Sequence, residues 1–341
     1  YLLLVERVKA EEIEDAFIEG ARFLLPQLKP SEIKLMHALQ HKHLVQSDMP
    51  LAVKAECPEW AFRSLNETFG DNFLDEMLAF GVPASLDLRV NALKAKRGDI
   101  TNTLRTEKIP ALATNYSPYG IRIAERYPIT AHKLFKDGTL EIQDEGSQLI
   151  ALMVNPKPGM QVIDFCAGAG GKTLLLASLM ENKGRIIACD VLDRRMMDAK
   201  KRFKRAGVFN ATTKVMKDEH DPFVKKHKDM FDRVLVDAPC SGMGTWRRNP
   251  DARWQRLGPS LANLVPLQQS ILQSASRLVK KGGRLVYATC SLLKEEDQLQ
   301  IENFLKHNAD FKLVPFTVAW EEIFNGKKPS PCKGDFMFLT P

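Results

Sequence analysis

Short apolar segments alternate with amphipathic segments through the second half of the sequence, from about residue 143 to residue 341. The apolar segments have the length of strands that are buried on both faces, and the amphipathic ones have helical spacing. The predicted strands are 162–165, 185–189, 211–215, 233–236 and 284–287, and the predicted helices are 173–180, 194–206 and 266–279. This alternation predicts an α/β domain in which helices cover both faces of a parallel sheet.

Two further regions precede this domain. Residues 1–82 have helical patterning, with Ser31 as a candidate helix cap and Pro58 as the start of a further helix. Residues 83–142 predict a small α+β unit that begins with a strand over 85–93. Apolar and polar side chains alternate along this strand, as they do when one face is in solvent. The apolar positions are Leu86, Leu88 and Val90, and the polar positions are Asp87, Arg89 and Asn91.

The charge balance favours a polyanionic partner. The chain carries 49 Lys and Arg against 42 Asp and Glu, a formal net charge of +7. Seven of these basic residues cluster between residues 194 and 205, although this stretch also fits an amphipathic helix with a solvated basic face. Apolar stretches fall well short of the roughly 18 residues of a membrane span, and no signal-peptide pattern opens the sequence. We therefore expect a cytoplasmic protein without membrane contact.

A glycine-rich turn follows the first strand of the α/β domain. Glycine lets the backbone approach a ligand closely, and the first N–H groups of the following helix are free to bind it. A phosphate loop is disfavoured, because Cys166 stands where that motif needs a glycine. The candidate cofactor-binding residues of this turn are Cys166, Ala167, Gly168, Ala169, Gly170, Gly171 and Lys172.

Acidic residues follow the next two predicted strands. Asp190 ends the second strand, where a carboxylate can accept hydrogen bonds from both hydroxyls of a ribose. It could instead cap the basic helix that follows it. Asp218 follows the third strand, where it could contact an adenine or simply end the strand. The glycine turn and Asp190 together favour an adenosine ligand.

Two cysteines follow the last two predicted strands. Cys240 comes after the sequence Asp237-Ala-Pro, and Cys290 comes after Thr289. In an open α/β sheet, ligands bind beyond the carboxyl ends of the strands, so both thiols are predicted to lie in the active crevice. A single cysteine at a strand end would more simply be a packing residue. The six cysteines have no close pairs, so we expect no metal site and no disulfide framework.

A thiol in such a crevice suits chemistry on a pyrimidine. Carbon-5 of cytosine is a poor nucleophile until a thiolate adds at carbon-6 and breaks the aromaticity of the ring. A free cysteine is only a few per cent ionised at neutral pH, so a nearby cation should activate it, and Lys172 is the candidate. Asp237 is placed to protonate the ring nitrogen or to accept a hydrogen bond from the exocyclic amine. The spacing does not decide which cysteine attacks.

The ordered set of motifs resembles the Sun/RsmB family of RNA cytosine-5 methyltransferases over roughly residues 84–320. The matching motifs are Asp-Leu-Arg-Val-Asn at 87–91, Gln-Asp-Glu-Gly-Ser-Gln at 143–148, the glycine-rich turn at 166–173, Asp-Ala-Pro-Cys-Ser-Gly at 237–242, Arg-Arg-Asn-Pro-Asp at 247–251 and Tyr-Ala-Thr-Cys-Ser at 287–291. The turn departs from the family form, which more often has Ala-Pro before Gly-Gly-Lys.

The resemblance implies a Rossmann-like class I methyltransferase domain over 143–341 that binds S-adenosylmethionine. It implies that Cys290 is the nucleophile and that Cys240 assists breakdown of the covalent adduct. The region 83–142 would be a small RNA-binding module. The implied contacts to the cofactor come from Cys166 to Lys172, Asp190, Asp218 and Asp237, with Arg195 nearby.

The resemblance also makes RNA the expected partner of a chain that we expect to be a monomer. Small-subunit ribosomal RNA is the favoured substrate and transfer RNA the runner-up. Candidate RNA contacts are Arg89, Asn91, Arg247 and Arg248, although each could be a solvated surface residue. A target cytosine within a helix would have to be flipped out of the stack or presented single-stranded.

Two other classes of function compete with this prediction. A non-catalytic RNA-binding or ribosome-assembly factor would be expected to have lost a cysteine or the glycine turn, and the sequence keeps both. A DNA cytosine methyltransferase would take its nucleophile from the Pro-Cys strand end and would not need Thr289-Cys290. The sequence therefore favours the RNA methyltransferase.

Overall fold

The computed structural model describes residues 8–18, 28–40, 42, 46–125, 127–254 and 258–340. The chain divides into two compact units, Tyr1–Cys57 and Pro58–Pro341. This division lies before the predicted boundary at residue 82, because the helices over 59–79 pack within the second unit.

The first unit contains three helices among its described residues: α1 (Ala10–Ile18), α2 (Pro30–Leu39) and α3 (Leu51–Lys54). Pro30 occupies the first turn of α2, where its missing N–H is not needed. The helix therefore begins before Ser31, and Ser31 is not its cap as the sequence suggested. Instead, the Glu32 carboxylate accepts a hydrogen bond from the backbone N–H of Lys29 at 2.7 Å.

The second unit opens with two helices and a small antiparallel sheet. Its strands lie in the order β2-β3-β1-β4. The elements are α4 (Glu59–Phe69), α5 (Phe73–Ala79), β1 (Leu86–Val90), α6 (Arg97–Thr106), β2 (Ala111–Ala113), β3 (Gly120–Ile123), α7 (Lys133–Lys136) and β4 (Leu140–Ile142). The predicted α+β unit over 83–142 matches the elements from β1 to β4.

Both faces of β1 are covered, which the alternation of its side chains did not predict. The apolar face packs in the core of the small sheet through Leu88 and Val90. On the polar face, Asp87 is 2% exposed and accepts two hydrogen bonds of 2.7 Å from Arg122. Arg89 reaches across to the carbonyl oxygen of Gly171 at 2.9 Å. The polar face therefore packs against the α/β domain and not against solvent.

The α/β domain is built on five parallel strands in the order β7-β6-β5-β8-β9. The strands are β5 (Gln161–Asp164), β6 (Arg185–Asp190), β7 (Ala211–Val215), β8 (Phe231–Asp237) and β9 (Val279–Ala288). The helices are α8 (Glu145–Met153), α9 (Gly171–Leu179), α10 (Asp193–Ala206), α11 (Pro222–Lys226), α12 (Leu261–Ser276), α13 (Gln298–His307) and α14 (Phe316–Phe324). The five predicted strands and three predicted helices are all present, but α12 ends at Ser276 and not at residue 279, because β9 already begins at Val279.

Apolar side chains fill both faces of this sheet, which is why its strands read as nearly continuous apolar runs. Val162 of β5 contributes to the core on one face and Ile163 to the core on the other. The first core includes Leu176 of α9 and Phe203 of α10. The second includes Ile271 of α12.

After α14 the chain forms a short antiparallel hairpin, β10 (Cys332–Lys333) and β11 (Phe336–Met337). In the described part of the chain, none of the helices combines the length and apolar character needed to cross a bilayer. The sheet reverses its order between β5 and β8, which opens a crevice at the carboxyl ends of these two strands.

Candidate active site

The carboxyl ends of β5, β8 and β9 meet at one edge of the sheet and bring the predicted site residues together. Asp164, the last residue of β5, is paired in register with Leu235 of β8. Asp237, the last residue of β8, is paired with Ala288 of β9. The glycine turn therefore lies beside the end of β8, and the two cysteine loops leave adjacent strands.

The turn between β5 and α9 needs glycine at two positions. Gly168 and Gly170 have φ of +54° and +78°, in the left-handed region that L side chains rarely adopt. A Cβ on Gly170 would also lie 2.6 Å from the Phe203 ring, so this glycine allows α10 to approach closely. A Cβ on Gly168 would meet nothing within 4 Å, so this part of the turn faces open space.

Asp190 ties the glycine turn to the end of β6. Its Oδ2 accepts a hydrogen bond from the Gly168 N–H and its Oδ1 from the Leu192 N–H, both at 2.9 Å. The N-cap residue of α10 is Leu192, which makes no side-chain cap bond. Asp190 lies two residues before this position, so it is not the N-cap of α10. The Arg195 guanidinium lies 3.9 Å from the Asp190 carboxylate and is largely exposed.

Asp164 is a buried carboxyl group beneath the turn. Its Oδ2 accepts a hydrogen bond from the Thr173 hydroxyl at 2.7 Å. Its Oδ1 is buried without a hydrogen-bond partner among the residues that the structure describes. Burial raises the pKa of Asp164 to about 7. The site therefore contains a titratable acceptor that a ligand could satisfy.

Lys172 and Asp237 form an ion pair between the start of α9 and the end of β8. Lys172 Nζ donates to Asp237 Oδ2 at 2.6 Å. The lysine side chain is 12% exposed and the aspartate side chain 32% exposed. The pair is therefore partly shielded from water, which strengthens its field on neighbouring groups.

The two thiols are in direct contact. Cys240 Sγ and Cys290 Sγ are 3.2 Å apart, and Cys290 is the exposed one of the pair. The hydrogen bond from the Cys240 thiol lowers the pKa of Cys290, and Lys172 contributes in the same direction. The same contact, together with burial, raises the pKa of Cys240 well above its usual range. The raised pKa of Cys240 and the lowered pKa of Cys290 make Cys290 the more readily ionised thiol of the pair.

A buried polar network fixes the loops that carry these cysteines. The Gly244 N–H donates to the Cys290 carbonyl at 2.8 Å, and a Cβ on Gly244 would lie 2.6 Å from that oxygen. The Glu296 carboxylate is fully buried and accepts hydrogen bonds from the N–H of Ser241 at 2.8 Å and from its hydroxyl at 2.5 Å. Thr289 donates to Asp297 at 2.6 Å.

Sequence reasoning missed Gly244, Glu296 and Asp297 of this network, and also Gln268, whose side-chain amide donates to the Glu296 carboxylate at 3.0 Å. A signal was present for two of them, because the acidic run Glu295-Glu296-Asp297 begins four residues after Ser291 of the Thr-Cys-Ser strand end. Charged residues so close to a predicted site must either face solvent or bond to the site. Gly244 and Gln268 carried no comparable signal.

The cysteines outside the pair differ from it in environment. Cys189 lies in the core of the sheet, and burial raises its pKa. Burial also raises the pKa of Cys166 well above its usual range. Both thiols are therefore protonated at neutral pH, as packing residues would be.

Two of the predicted RNA contacts are wrong, because their side chains are buried. Arg89 is 2% exposed and donates to Gln143 and to the Gly171 carbonyl, each at 2.9 Å. Asn91 is 4% exposed and donates to the carbonyl oxygens of Gly138 and Ala206. These residues hold the small sheet against the α/β domain.

The other two predicted RNA contacts lie at the surface, but their guanidinium groups are bonded within the chain. Arg247 donates to the carbonyl oxygens of Val82 and Pro83 at 2.9 and 3.0 Å. Arg248 donates to the Ser85 carbonyl at 3.0 Å and pairs with Asp144. Both arginines therefore tie the loop after β8 to the segment that enters the small sheet.

Asp218 and the basic stretch are less directly connected to the crevice. The Asp218 carboxylate accepts a hydrogen bond from the His220 N–H at 2.8 Å, within its own loop. In α10, Arg202 and Arg205 both pair with the buried Glu141. The remaining basic residues of the stretch are on the exposed face of the helix: Arg194, Arg195, Lys200, Lys201 and Lys204.

Family models match most of the second unit. The family described as 16S rRNA methyltransferase RsmB/F matches residues 151–338. The Methyltr_RsmF/B-like, ferredoxin-like domain matches residues 57–130, and thus includes α4 and α5 with the small sheet.

Individual relatives are also ribosomal RNA methyltransferases. A probable ribosomal RNA small subunit methyltransferase B from Synechocystis is 36% identical over 80% of this chain and 61% of its own length. A ribosomal RNA small subunit methyltransferase B from Yersinia enterocolitica is 30% identical over 100% of this chain and 79% of its own length. The chain thus spans only about three fifths of the Synechocystis protein.

A solved structure is similar in sequence and in fold. It is a methyltransferase homologue from Pyrococcus horikoshii, 29% identical, with a TM-score of 0.67. The match covers 77% of this chain and 83% of that one.

Proposed function

We propose, because this chain belongs to the 16S rRNA methyltransferase RsmB/F family, that it methylates carbon-5 of a cytosine in RNA through a covalent cysteine adduct. The observation that carries the proposal is the thiol pair at the crevice. One thiol is exposed with a lowered pKa, and the second lies 3.2 Å away with a raised pKa. A packing role would not need this arrangement.

The residues around the glycine turn fit S-adenosylmethionine as the methyl donor. The turn faces open space at Gly168, and Asp190 lies at its edge. Val191 and Leu192 are about half exposed beside Asp190 and offer apolar surface for an adenine. The unpartnered Oδ1 of Asp164 supplies a further acceptor among the described residues. When bound, S-adenosylmethionine supplies an electrophilic methyl group on a positively charged sulfur.

Cys290 performs the first step in this proposal. Its thiolate adds to carbon-6 of the cytosine, forming a C–S bond and giving carbon-5 the character of an enamine carbon. Asp237 accepts a hydrogen bond from the exocyclic amine as a carboxylate or, in its protonated form, protonates the ring nitrogen, and this protonation neutralises the negative charge that the addition creates. Lys172 holds Asp237 in place through their 2.6 Å ion pair. Carbon-5 would then take the methyl group as its bond to the donor sulfur breaks, which would leave S-adenosylhomocysteine.

Cys240 acts in the breakdown of the adduct. The proton on carbon-5 passes to water or to a base in the crevice, the C–S bond breaks, and Cys290 leaves as a thiolate. The Cys240 thiol, whose sulfur lies 3.2 Å from that of Cys290 in the free protein, stabilises the departing thiolate by donating a hydrogen bond to it. The ring nitrogen returns any proton that it received to Asp237, so the reaction releases one proton overall.

RNA is the partner in this proposal, with small-subunit ribosomal RNA as the favoured substrate. The family description and the net charge of +7 support it. The exposed basic face of α10 and the exposed parts of Arg247 and Arg248 are the candidate contacts. We place the reaction in the cytoplasm, where ribosomal RNA and transfer RNA are both available.

The test is methyl transfer to separate purified RNAs. The protein is incubated with methyl-labelled S-adenosylmethionine and with free 16S rRNA, small ribosomal subunits or transfer RNA, and the labelled nucleoside is identified after digestion. We expect 5-methylcytidine from a small-subunit substrate and none from Cys290→Ala. Label in transfer RNA alone would mean that the substrate is transfer RNA and not ribosomal RNA. A folded protein that labels none of the RNAs would support a non-catalytic RNA-binding factor and refute the proposal.

A further inference from the structure

A buried carboxylate lies behind Cys240. Glu296 is fully buried and accepts three hydrogen bonds: two from Ser241 and one of 3.0 Å from Gln268 Nε2. All three donors are neutral groups. Among the described residues, no lysine or arginine forms an ion pair with Glu296, so its negative charge is not cancelled locally. A buried charge of this kind acts strongly on its neighbours, because water does not screen it.

The Glu296 network holds the Cys240 loop on both sides of the cysteine. Ser241, which follows Cys240, donates to the carboxylate from its N–H and its hydroxyl. Gln268 donates to the carboxylate and also to the carbonyl oxygen of Pro239, which precedes Cys240, at 2.9 Å. The carboxylate and the amide therefore bracket one residue, Cys240.

The environment of Cys290 differs in charge. Asp297, next to Glu296 in sequence, accepts the hydrogen bond from Thr289 beside Cys290. Burial raises the pKa of Asp297 to about 7, so this carboxyl is partly neutral at neutral pH. Lys172 is the cation that favours a thiolate on Cys290, and its partner Asp237 opposes that effect. Tyr287, which donates to the Glu296 carbonyl, stays neutral because burial raises its pKa.

We propose that Glu296 is a positioning residue that, when the thiol pair loses one of its two protons, keeps the remaining proton on Cys240 and so places the thiolate on Cys290. Two thiols 3.2 Å apart cannot both ionise at neutral pH, so a small difference in local field decides which one does. The Glu296 charge raises the cost of a thiolate on Cys240, and its hydrogen bonds keep that thiol directed at Cys290. The consequence for catalysis rests on the proposed function, whereas the position of the proton does not.

The test is alkylation of the free protein, without RNA or methyl donor. Initial rates of iodoacetamide labelling are measured from pH 5 to pH 10 at Cys240 and Cys290 separately, by mass spectrometry of peptides. In the unaltered protein we expect Cys290 to react faster and at lower pH. Glu296→Gln should lower the ratio of Cys290 to Cys240 labelling at least about fivefold and move Cys240 labelling to lower pH.

Two further variants separate charge from structure. Glu296→Asp keeps the charge on a shorter side chain and should preserve most of the labelling ratio, and it remains informative if Glu296→Gln fails to fold. Glu295→Gln changes the preceding carboxylate, which bonds Ser64 and not the cysteine loops, and should leave the ratio unchanged. An unchanged ratio in folded Glu296→Gln, or equal changes in Glu296→Gln and Glu296→Asp, would overturn the proposal. Methyl transfer is assayed separately, so either result stands whether or not the protein methylates RNA.

Discussion

The loops that carry Cys240 and Cys290 have similar sequences and opposite electrostatic surroundings. Each follows a parallel strand, and each has a serine after the cysteine. The Cys240 loop is held by the buried Glu296, and its thiol keeps a proton. The thiol of the Cys290 loop is exposed and lies near Lys172, and its pKa is lowered.

This difference shows that a cysteine's role is decided by the groups around it. The intrinsic pKa of both thiols is the same, and they are in contact. The direction of their hydrogen bond and the nearby charges make Cys240 a hydrogen-bond donor and Cys290 a nucleophile. Changing those groups one at a time should therefore reduce or remove the difference.

The largest effect is expected from replacing the nucleophile itself. Cys290→Ser should slow methyl transfer at least about a thousandfold, because a serine hydroxyl is not ionised at neutral pH and cannot add to the pyrimidine efficiently. The rate is measured as methyl label incorporated into RNA. Cys332→Ser, which alters an exposed thiol of the β10–β11 hairpin, should keep the full rate. If Cys290→Ser methylated RNA as fast as the unaltered protein, Cys290 would not be the nucleophile, and the two loops would not differ in role.

A smaller effect is expected from removing the cation. Lys172→Met should slow methyl transfer about tenfold to a hundredfold, because Asp237 loses its partner and the Cys290 thiolate loses a favourable charge. Labelling of Cys290 by iodoacetamide should also move to higher pH. Lys183→Met, which removes a lysine from an exposed ion pair, is the matched control and should leave both measurements unchanged. Unchanged Cys290 labelling in Lys172→Met would exclude this lysine from thiol activation.

The smallest effect is expected from loosening the Cys290 loop. Thr289→Val keeps the shape of the side chain but removes the hydrogen bond to Asp297 and the acceptor of the Ser291 N–H. We expect the rate of methyl transfer to fall about threefold, because the two lost hydrogen bonds position the Cys290 loop but do not take part in the chemistry. Thr212→Val on the edge strand β7 is the control and should have no effect. A loss as large as that of Cys290→Ser would mean that Thr289 takes part in the chemistry.

The sequence was sufficient to predict the parallel sheet and the placing of residues at strand ends. Those predictions depend on local patterns: apolar runs, a glycine turn, and a cysteine directly after a strand. The meeting of Cys240 and Cys290 followed from the rule that carboxyl strand ends line the crevice. Their contact at 3.2 Å required β8 and β9 to be neighbours in register, which the sequence does not encode locally.

The failures arose where contacts between distant segments decide burial. The alternation of apolar and polar side chains in β1 predicted which residues share a face of the strand. It did not show what covers the polar face. That covering surface comes from residues far along the chain, the carbonyl oxygens of Gly171 and Ala206. Arg89 and Asn91 were therefore predicted as surface RNA contacts and are buried hydrogen-bond donors. Glu296 was missed for a related reason, since its partner Ser241 lies 55 residues away.

Trapping of the covalent adduct tests the division of roles between the two cysteines most directly. Cys240→Ala and Cys290→Ala are each incubated with RNA and S-adenosylmethionine and analysed on a denaturing gel, and the linked peptide is identified by mass spectrometry. We expect a protein–RNA adduct to accumulate in Cys240→Ala, joined through Cys290, and no adduct in Cys290→Ala. An adduct in Cys290→Ala, joined through Cys240, would contradict the assignment.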